Sequence, residues 1–171
     1  MKKIISVILL ACMVFSLSAC GAAEAEYKLG MGIALNTDFS KSGNAQVDAT
    51  VAAVVLDSAG KIVACRLDCA QDKMDVTDGA VDTAAAFKTK MELGSDYGMV
   101  AYGNAVAEWN DQAKAFTEYV VGKTAAEVRG LETKVNEEGN AVTVDETLLA
   151  SCTMSISGMM AVIAQAADYA R

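Results

Sequence analysis

Two alternating apolar runs joined by a short turn constrain the fold of this chain most strongly. Residues 46–57 read QVDATVAAVVLD and residues 61–69 read KIVACRLDC, and both runs alternate with the two-residue period of a β-strand. The intervening residues 58–61 (SAGK) are typical of a turn. The sequence therefore predicts a β-hairpin. One face of its second strand is expected to carry Val63, Cys65, Leu67 and Cys69.

The first strand of this hairpin has apolar residues on both of its faces towards its end. Such a pattern is typical of a strand that is covered on two sides. Residues 30–39 alternate in part and predict a further strand. Residues 70–104 show no sustained period, which predicts a long ordered loop with a short strand near Phe87. One apolar face of the first hairpin strand is expected to consist of Val47, Ala49, Val51, Ala53 and Val55.

Helical periodicity appears only in the second half of the chain. Residues 105–121 place Trp109, Ala113, Phe116 and Val120 on one stripe, and Gly122 is expected to end this helix. Residues 124–127 (TAAE) match a capping box that would start a short helix. Residues 131–143 are polar and turn-like. A last helix over roughly 154–169 is expected to bury Ile156, Met159, Met160, Ile163 and Ala167.

The order of these elements, strands first and helices later, predicts an α+β domain. We expect a small antiparallel sheet that contains the hairpin and packs against two or three helices. No internal repeat divides the chain, so residues 30–171 are interpreted as a single domain.

The first twenty residues indicate a lipoprotein signal. Lys2 and Lys3 precede a short apolar stretch, and LSAC at residues 17–20 matches a lipobox. We therefore expect a signal peptide over residues 1–19, an acylated Cys20, and a tether that reaches to residue 29. An ordinary secretory signal cut after Ala19 or Ala23 is the alternative. An acyl chain on Cys20 would hold the protein on the extracytoplasmic face of a cell membrane.

Charge and composition exclude several classes of function. The net charge is −8, which argues against binding to nucleic acid or to anionic lipid through a basic patch. The chain contains no His. Hydrolases that use a Ser–His or Cys–His pair, and typical zinc enzymes, are therefore excluded in their usual forms. We expect at most a redox protein and name no catalytic residue.

The cysteines and the acidic loop also have simple structural interpretations. Cys65 and Cys69 are four residues apart in a predicted strand, roughly 13 Å at the rise of a β-strand, which is too far for a disulfide. They are expected to be small buried apolar residues. The acidic run does not follow the spacing of a Ca²⁺-binding EF-hand, so no metal site is assigned to it. That run consists of Asp72, Asp75, Asp78 and Asp82.

Thr153 lies directly before the predicted last helix and has two interpretations. Its hydroxyl could carry a phosphate ester at the positive end of the helix dipole. Alternatively, it could be the N-cap residue and accept a hydrogen bond from a nearby backbone N–H. The position of Thr153 just before a predicted helix favours the N-cap.

A resemblance to a known family bears on this choice. Three stretches of the chain resemble bacterial lipoproteins related to the FMN-binding domain family. They are residues 88–99 (KTKMELGSDYGM), 108–128 (EWNDQAKAFTEYVVGKTAAEV) and 148–166 (LLASCTMSISGMMAVIAQA). Flavinylated members of that family carry a Ser-Gly-Ala-Thr motif, and a flavin transferase joins FMN phosphate to the Thr hydroxyl. The matching residues here are 150–153 (ASCT), of which only Thr153 agrees.

The resemblance implies an FMN-binding-like fold and a membrane-anchored electron carrier. FMN would be attached through Thr153, beside Ser151 and Cys152, and the implied contacts of its ring are Tyr97, Met99 and Trp109. The implied partners are membrane lipid, a flavin transferase and a membrane redox partner. The alternative is a binding or interaction module that retains the fold without the cofactor.

Overall fold

The structure is a computed structural model that describes residues 26–38, 44–77, 80–81, 87–103 and 105–171. The predicted signal peptide, Cys20 and most of the tether lie outside the described residues. The strands are β1 (Lys28–Asp38), β2 (Asn44–Leu56), β3 (Ile62–Thr77), β4 (Ala80–Val81), β5 (Thr133–Val135) and β6 (Ala141–Thr143). The helices are α1 (Lys90–Leu93), α2 (Met99–Gly103), α3 (Trp109–Tyr119), α4 (Ala125–Arg129), α5 (Glu146–Leu149) and α6 (Ser157–Asp168).

The predicted α+β class is confirmed. Strands β1 to β4 form one antiparallel sheet in sequence order, and β5 and β6 form a separate hairpin. Helices α3 and α6 pack on the inner face of the large sheet. No helix in the described part of the chain combines the length and the apolar character needed to cross a bilayer.

The predicted β2–β3 hairpin is confirmed and is longer than expected. Val54 pairs with Cys65, and the pairing extends as far as Asn44 with Asp75. In the turn, the Asp57 carboxylate accepts hydrogen bonds from two backbone N–H groups at 2.9 Å, those of Ala59 and Lys61. A short acidic side chain that bonds the following backbone is a common way to fix a tight turn.

The predicted face of β3 is wrong at its first residue. Ile62 is fully buried and Cys65 is buried, whereas Val63 is 41% exposed. The register shifts at this point, since Leu56 pairs with Ile62 but Val55 pairs with Ala64, so Val63 is the extra residue of a β-bulge. The backbone of Ile62 exchanges hydrogen bonds with the segment after α3, donating to the Lys123 carbonyl and accepting from the Gly122 N–H.

Helix α6 lies directly on the backbone of β1. A Cβ atom on Gly30 would lie 1.9 Å from the Ala166 carbonyl oxygen, and one on Gly32 would lie 2.2 Å from the Val162 carbonyl oxygen. Only glycine permits this approach, because any side chain would meet helix backbone that cannot move aside.

The free edge of β1 is also engaged. Gln165 of α6 accepts a hydrogen bond from the Ile33 N–H at 2.8 Å. The backbone of Leu29 exchanges two hydrogen bonds with that of Arg171. The predicted strand over residues 30–39 is thus confirmed, and it begins two residues earlier, at Lys28, inside the predicted tether.

The predicted apolar stripes of the two main helices are confirmed. Trp109, Ala113, Phe116 and Val120 are buried, as are Ile156, Met159, Ile163 and Ala167, while Met160 is half-buried. Both helices are shorter than predicted, because α3 begins at Trp109 and α6 begins at Ser157. The predicted capping box of Thr124 and Glu127 starts α4, and Gly122 follows α3 with a positive φ of 85°.

Two of the predicted loops contain regular structure. In the first, over residues 70–104, β3 continues to Thr77, and β4, α1, a 3₁₀ helix (Gly94–Tyr97) and α2 follow. The strand predicted near Phe87 is a single bridge between Ala70 and Thr89. In the second, the turn-like residues 131–143 form the β5–β6 hairpin. Elements of two to five residues are too short to show a period in the sequence.

The acidic run does not form one loop. Asp72 and Asp75 belong to β3, whereas Asp78 and Asp82 lie outside the described residues. Among the described residues, no three His, Cys, Asp or Glu side chains are grouped so that they could hold a metal ion.

The outer face of the large sheet is apolar along β1 and β2, and the two main helices, α3 and α6, pack on the opposite face. In β2 the side chains of the predicted apolar face point outward. Their neighbours Ala52, Val54 and Leu56 point into the core instead. The prediction of a strand covered on both sides is therefore wrong. The exposed side chains of β1 on this face are Leu29, Met31, Ile33 and Leu35, which are between 49% and 69% exposed.

We expect Gly32→Val to lower the free energy of unfolding by about 3 kcal/mol or more, because the new side chain would force α6 away from β1. Gly158→Ala is the matched control, since nothing lies within 4 Å of the added atom, and its effect should stay below about 1 kcal/mol. Urea unfolding followed by circular dichroism measures both. Equal stability of the two variants would contradict the described packing.

Candidate functional site

A cleft of about 480 Å³ opens beside the N-terminus of α3. Its walls come from the 3₁₀ helix and α2, from the turn between β5 and β6, and from the segment between α5 and α6. This volume is within the usual range for small-molecule sites. The lining side chains include Lys90, Tyr97, Met99, Trp109, Asn136, Glu138, Asn140, Thr153, Met154 and Ser155.

A smaller cavity of about 220 Å³ adjoins this cleft. The two share Lys90, Trp109 and Ser155 in their walls. The smaller cavity also reaches the inner face of the sheet, where its wall includes Asp48 and Cys69.

Four of the six predicted cofactor residues line the main cleft. These are Tyr97, Met99, Trp109 and Thr153, which the fold brings together although they are far apart in the chain. The Tyr97 hydroxyl donates to Gln71 of β3 at 2.9 Å. The carboxylate of Glu108 accepts from the backbone N–H groups of Met99 and Val100 and so joins α2 to the start of α3.

The other two predicted residues do not line the cleft. Ser151 is exposed, and its hydroxyl donates to the Leu148 carbonyl at 3.3 Å. Cys152 is fully buried, and its backbone N–H donates to the same carbonyl at 2.8 Å. Both residues belong to the turn that follows α5, and this turn directs them away from the cleft.

Thr153 is held by a side chain of α3 and does not cap α6. Its backbone N–H donates to Gln112 Oε1 at 2.9 Å, and its hydroxyl lies 3.5 Å from the same oxygen. Helix α6 begins four residues later at Ser157, and its N-cap residue, Ile156, makes no side-chain capping bond. The N-cap interpretation of Thr153 is therefore wrong, and so is its placement at the end of the helix dipole.

Gln112 supports the backbone beside the cleft, and the sequence analysis missed it. Its side chain is fully buried between Trp109 and Phe116 on the apolar stripe of α3. Besides its bond with Thr153, its Oε1 accepts from the Met154 N–H at 3.1 Å, and its Nε2 donates to the Ala107 carbonyl at 2.7 Å. A polar residue within a buried stripe was the signal in the sequence, because buried amides are retained where they satisfy backbone groups.

Lys90 is a second position that the sequence analysis missed. It is only 9% exposed, and its Nζ lies 4.8 Å from the ring centre of Tyr97 and 5.5 Å from that of Trp109. An ammonium group at these distances is attracted by the electron-rich faces of both rings. Within the described part of the chain, no carboxylate lies within 4.0 Å of Nζ.

The three cysteines in the described part of the chain are buried thiols. Cys65, Cys69 and Cys152 are free and buried, as predicted for Cys65 and Cys69. Burial raises the pKa of Cys65 to about 12, against a smaller opposing effect of Arg66, and burial raises the pKa of Cys152 to about 11. Desolvation disfavours the thiolate, which is the reactive form of cysteine.

We expect Cys65 and Cys152 to react with iodoacetamide at pH 8 at least about a hundredfold more slowly in the folded protein than in urea, because the raised pKa and the burial both suppress the thiolate. Peptide mapping of the two alkylated sites measures the rates. Alkylation at equal rates in the folded and unfolded protein would contradict the described burial.

Gln112→Leu should lower the free energy of unfolding by about 2–4 kcal/mol, because it leaves the N–H groups of Thr153 and Met154 without their acceptor. Lys114→Met, which changes an exposed side chain on the same helix, is the control and should cost less than about 0.5 kcal/mol. Chemical unfolding of both variants provides the test. A loss in Gln112→Leu no larger than that of the control would refute the role of the amide.

Comparison with known proteins yields one informative similarity. The chain is 33% identical to a chlorophenol reductase of Desulfitobacterium hafniense over 126 residues, which cover 63% of this chain and 38% of that protein. The chain therefore spans well under half the length of this relative. No protein-family model and no solved structure matches the chain.

Proposed function

We propose that this protein is an electron carrier that binds FMN in the cleft beside α3 and is held by lipidated Cys20 on the extracytoplasmic face of a cell membrane. The observation that carries the proposal is the convergence of the Thr153 hydroxyl with Tyr97, Met99 and Trp109 around one cleft of about 480 Å³. The similarity to a protein named chlorophenol reductase supports a redox role. The sequence resemblance described above supports FMN as the cofactor.

The residues present fit a flavin phosphate attached at Thr153. Thr153 lies at the cleft wall and is half-buried, and the one hydrogen bond of its hydroxyl among the described residues is the long one to Gln112 at 3.5 Å, so the oxygen remains available for a phosphodiester. The Ser that replaces the family's Gly, Ser151, is exposed outside the cleft and does not narrow it. Lys90 contributes a positive charge to the same cleft.

The bound flavin would supply the redox chemistry, and the chain would supply position and environment. Gln112 orients the backbone of Thr153, which fixes where the hydroxyl points. Tyr97 and Trp109 offer aromatic surface for a planar ring, and Met99 offers an adaptable apolar contact. The inferred partners are a flavin transferase and a redox protein at the membrane.

A cofactor-free interaction module is the second candidate. The observation that favours it is the position of Lys90, whose ammonium already lies against both ring faces. In such a module Lys90 would cover the faces of Tyr97 and Trp109, and no cofactor would be needed there.

Thr153→Ala should abolish covalent flavin, because it removes the oxygen that would accept the phosphate. We expect in-gel flavin fluorescence from the exported protein co-expressed with a flavin transferase, and background fluorescence from Thr153→Ala. Ser151→Ala is the matched control and should retain the signal, since its hydroxyl bonds the Leu148 carbonyl outside the cleft.

Two results of this experiment would count against the flavin proposal. A colourless wild-type protein whose intact mass shows only lipid would favour the interaction module. Fluorescence that persists in Thr153→Ala would show that the flavin is attached elsewhere.

A further inference from the structure

Lys90 brings a positive charge to the wall that the two cavities share. Only 9% of the residue is exposed, and a positive charge with little access to water is stabilised by an anionic partner. No carboxylate among the described residues lies within 4.0 Å of it. The net charge of the whole chain is −8, so the charge of Lys90 is opposite in sign to the net charge of the protein.

Among the described residues, one acidic side chain lines each cavity, and each accepts a hydrogen bond from a neighbouring amide side chain. Asp48 lines the smaller cavity, and its carboxylate accepts two hydrogen bonds from Gln46 at 3.0 and 3.1 Å. Glu138 lines the main cleft, is exposed, and accepts from Asn140 at 3.2 Å. Neither carboxylate lies within 4.0 Å of the Lys90 ammonium.

The backbone around Lys90 is fixed. Thr89 and Glu92 form a capping box at the start of α1, and Thr89 also bridges to Ala70 of β3. The Met91 N–H donates to the Asp68 carboxylate at 3.2 Å. The side chain of Lys90 therefore starts from a rigid base and reaches the wall shared by both cavities.

The ammonium retains hydrogen-bonding capacity. It has three N–H donors, and the faces of Tyr97 and Trp109 account for its described contacts. A ligand in the cleft can therefore reach a positive charge that two aromatic rings flank. A charge-assisted hydrogen bond in such a shielded position is stronger than one in water.

We propose that Lys90 binds the phosphate of an aromatic ligand that lies in the cleft lined by Tyr97, Met99 and Trp109. The inference deepens the proposed FMN function, on which its identification of the ligand as a flavin rests. The recognition chemistry itself is that of an aromatic phosphate, and it can be measured without any flavin.

Trp109 provides the measurement, because it is the one Trp in the sequence and lies beside Lys90. The purified protein, without added flavin, is titrated with phenyl phosphate and with neutral benzyl alcohol while Trp fluorescence is recorded. We expect phenyl phosphate to bind at least about tenfold more tightly. Inorganic phosphate should compete with phenyl phosphate and leave benzyl alcohol binding unchanged.

The variants assign this preference to one side chain. Lys90→Met should reduce the preference to within about twofold, and Lys90→Arg should retain it. Lys88→Met removes the same charge from an exposed position two residues earlier and should change nothing. Circular dichroism reports whether each variant is folded.

Two outcomes would overturn the inference. Equal binding of the charged and neutral probes by the wild-type protein would do so without any variant. A preference for phenyl phosphate that persists in folded Lys90→Met would do so as well.

A competition experiment separates this inference from the flavin proposal. FMN that displaces phenyl phosphate at lower concentration than riboflavin supports both. Lys90-dependent binding of phenyl phosphate with no competition by FMN supports the anion site and counts against the flavin. If flavin is attached at Thr153 but phenyl phosphate binds no more tightly than benzyl alcohol, the result counts against the proposed role of Lys90. It does not count against the flavin proposal.

Discussion

The carboxamide of Gln112 is the interaction on which the cleft depends. It accepts hydrogen bonds from Thr153 and Met154 and donates one to Ala107, so a single side chain joins α3 to two other segments. The Gln112 side chain is fully buried, and a backbone group left unpaired beside it would be costly. These hydrogen bonds fix the position of the α2–α3 connection, which contains Ala107, and of the α5–α6 connection, which contains Thr153 and Met154.

A second constraint sets the layer structure. Gly30 and Gly32 allow the backbone of α6 to lie directly on β1, which brings helix and sheet closer than two layers of side chains would permit. The segment before α6 is also fixed to the small hairpin, since the Ile156 N–H donates to the Ala141 carbonyl. The hairpin of β5 and β6 thus contributes its turn to the cleft because α6 holds that hairpin in place.

The sequence predicted the elements whose patterns are long enough to show a period. The β2–β3 hairpin and the stripes of α3 and α6 are of this kind, because burial on one side leaves a repeat of two or of three to four residues. The bulge at Val63 could not be predicted, since its cause is the contact of Ile62 with Gly122 and Lys123, far away in sequence. The short helices α1 and α2 have too few residues to show a pattern.

The residues of the cleft could be predicted only in part from the sequence. Tyr97, Met99, Trp109 and Thr153 were identified from the resemblance to a family, whereas the argument from helix capping placed Thr153 incorrectly. Lys90 and Gln112 are polar residues whose importance comes from burial. Burial of a single polar residue depends on tertiary packing, and neither composition nor periodicity records it.

The contacts of Gln165 and Arg171 with β1 have a consequence for how this domain can associate. An open edge strand with apolar neighbours is a template for an incoming strand from another molecule. Here the Ile33 N–H already has an acceptor on α6, and both backbone groups of Leu29 are paired with Arg171. An incoming strand would have to displace these contacts within the chain before it could pair with β1 at Leu29 and Ile33.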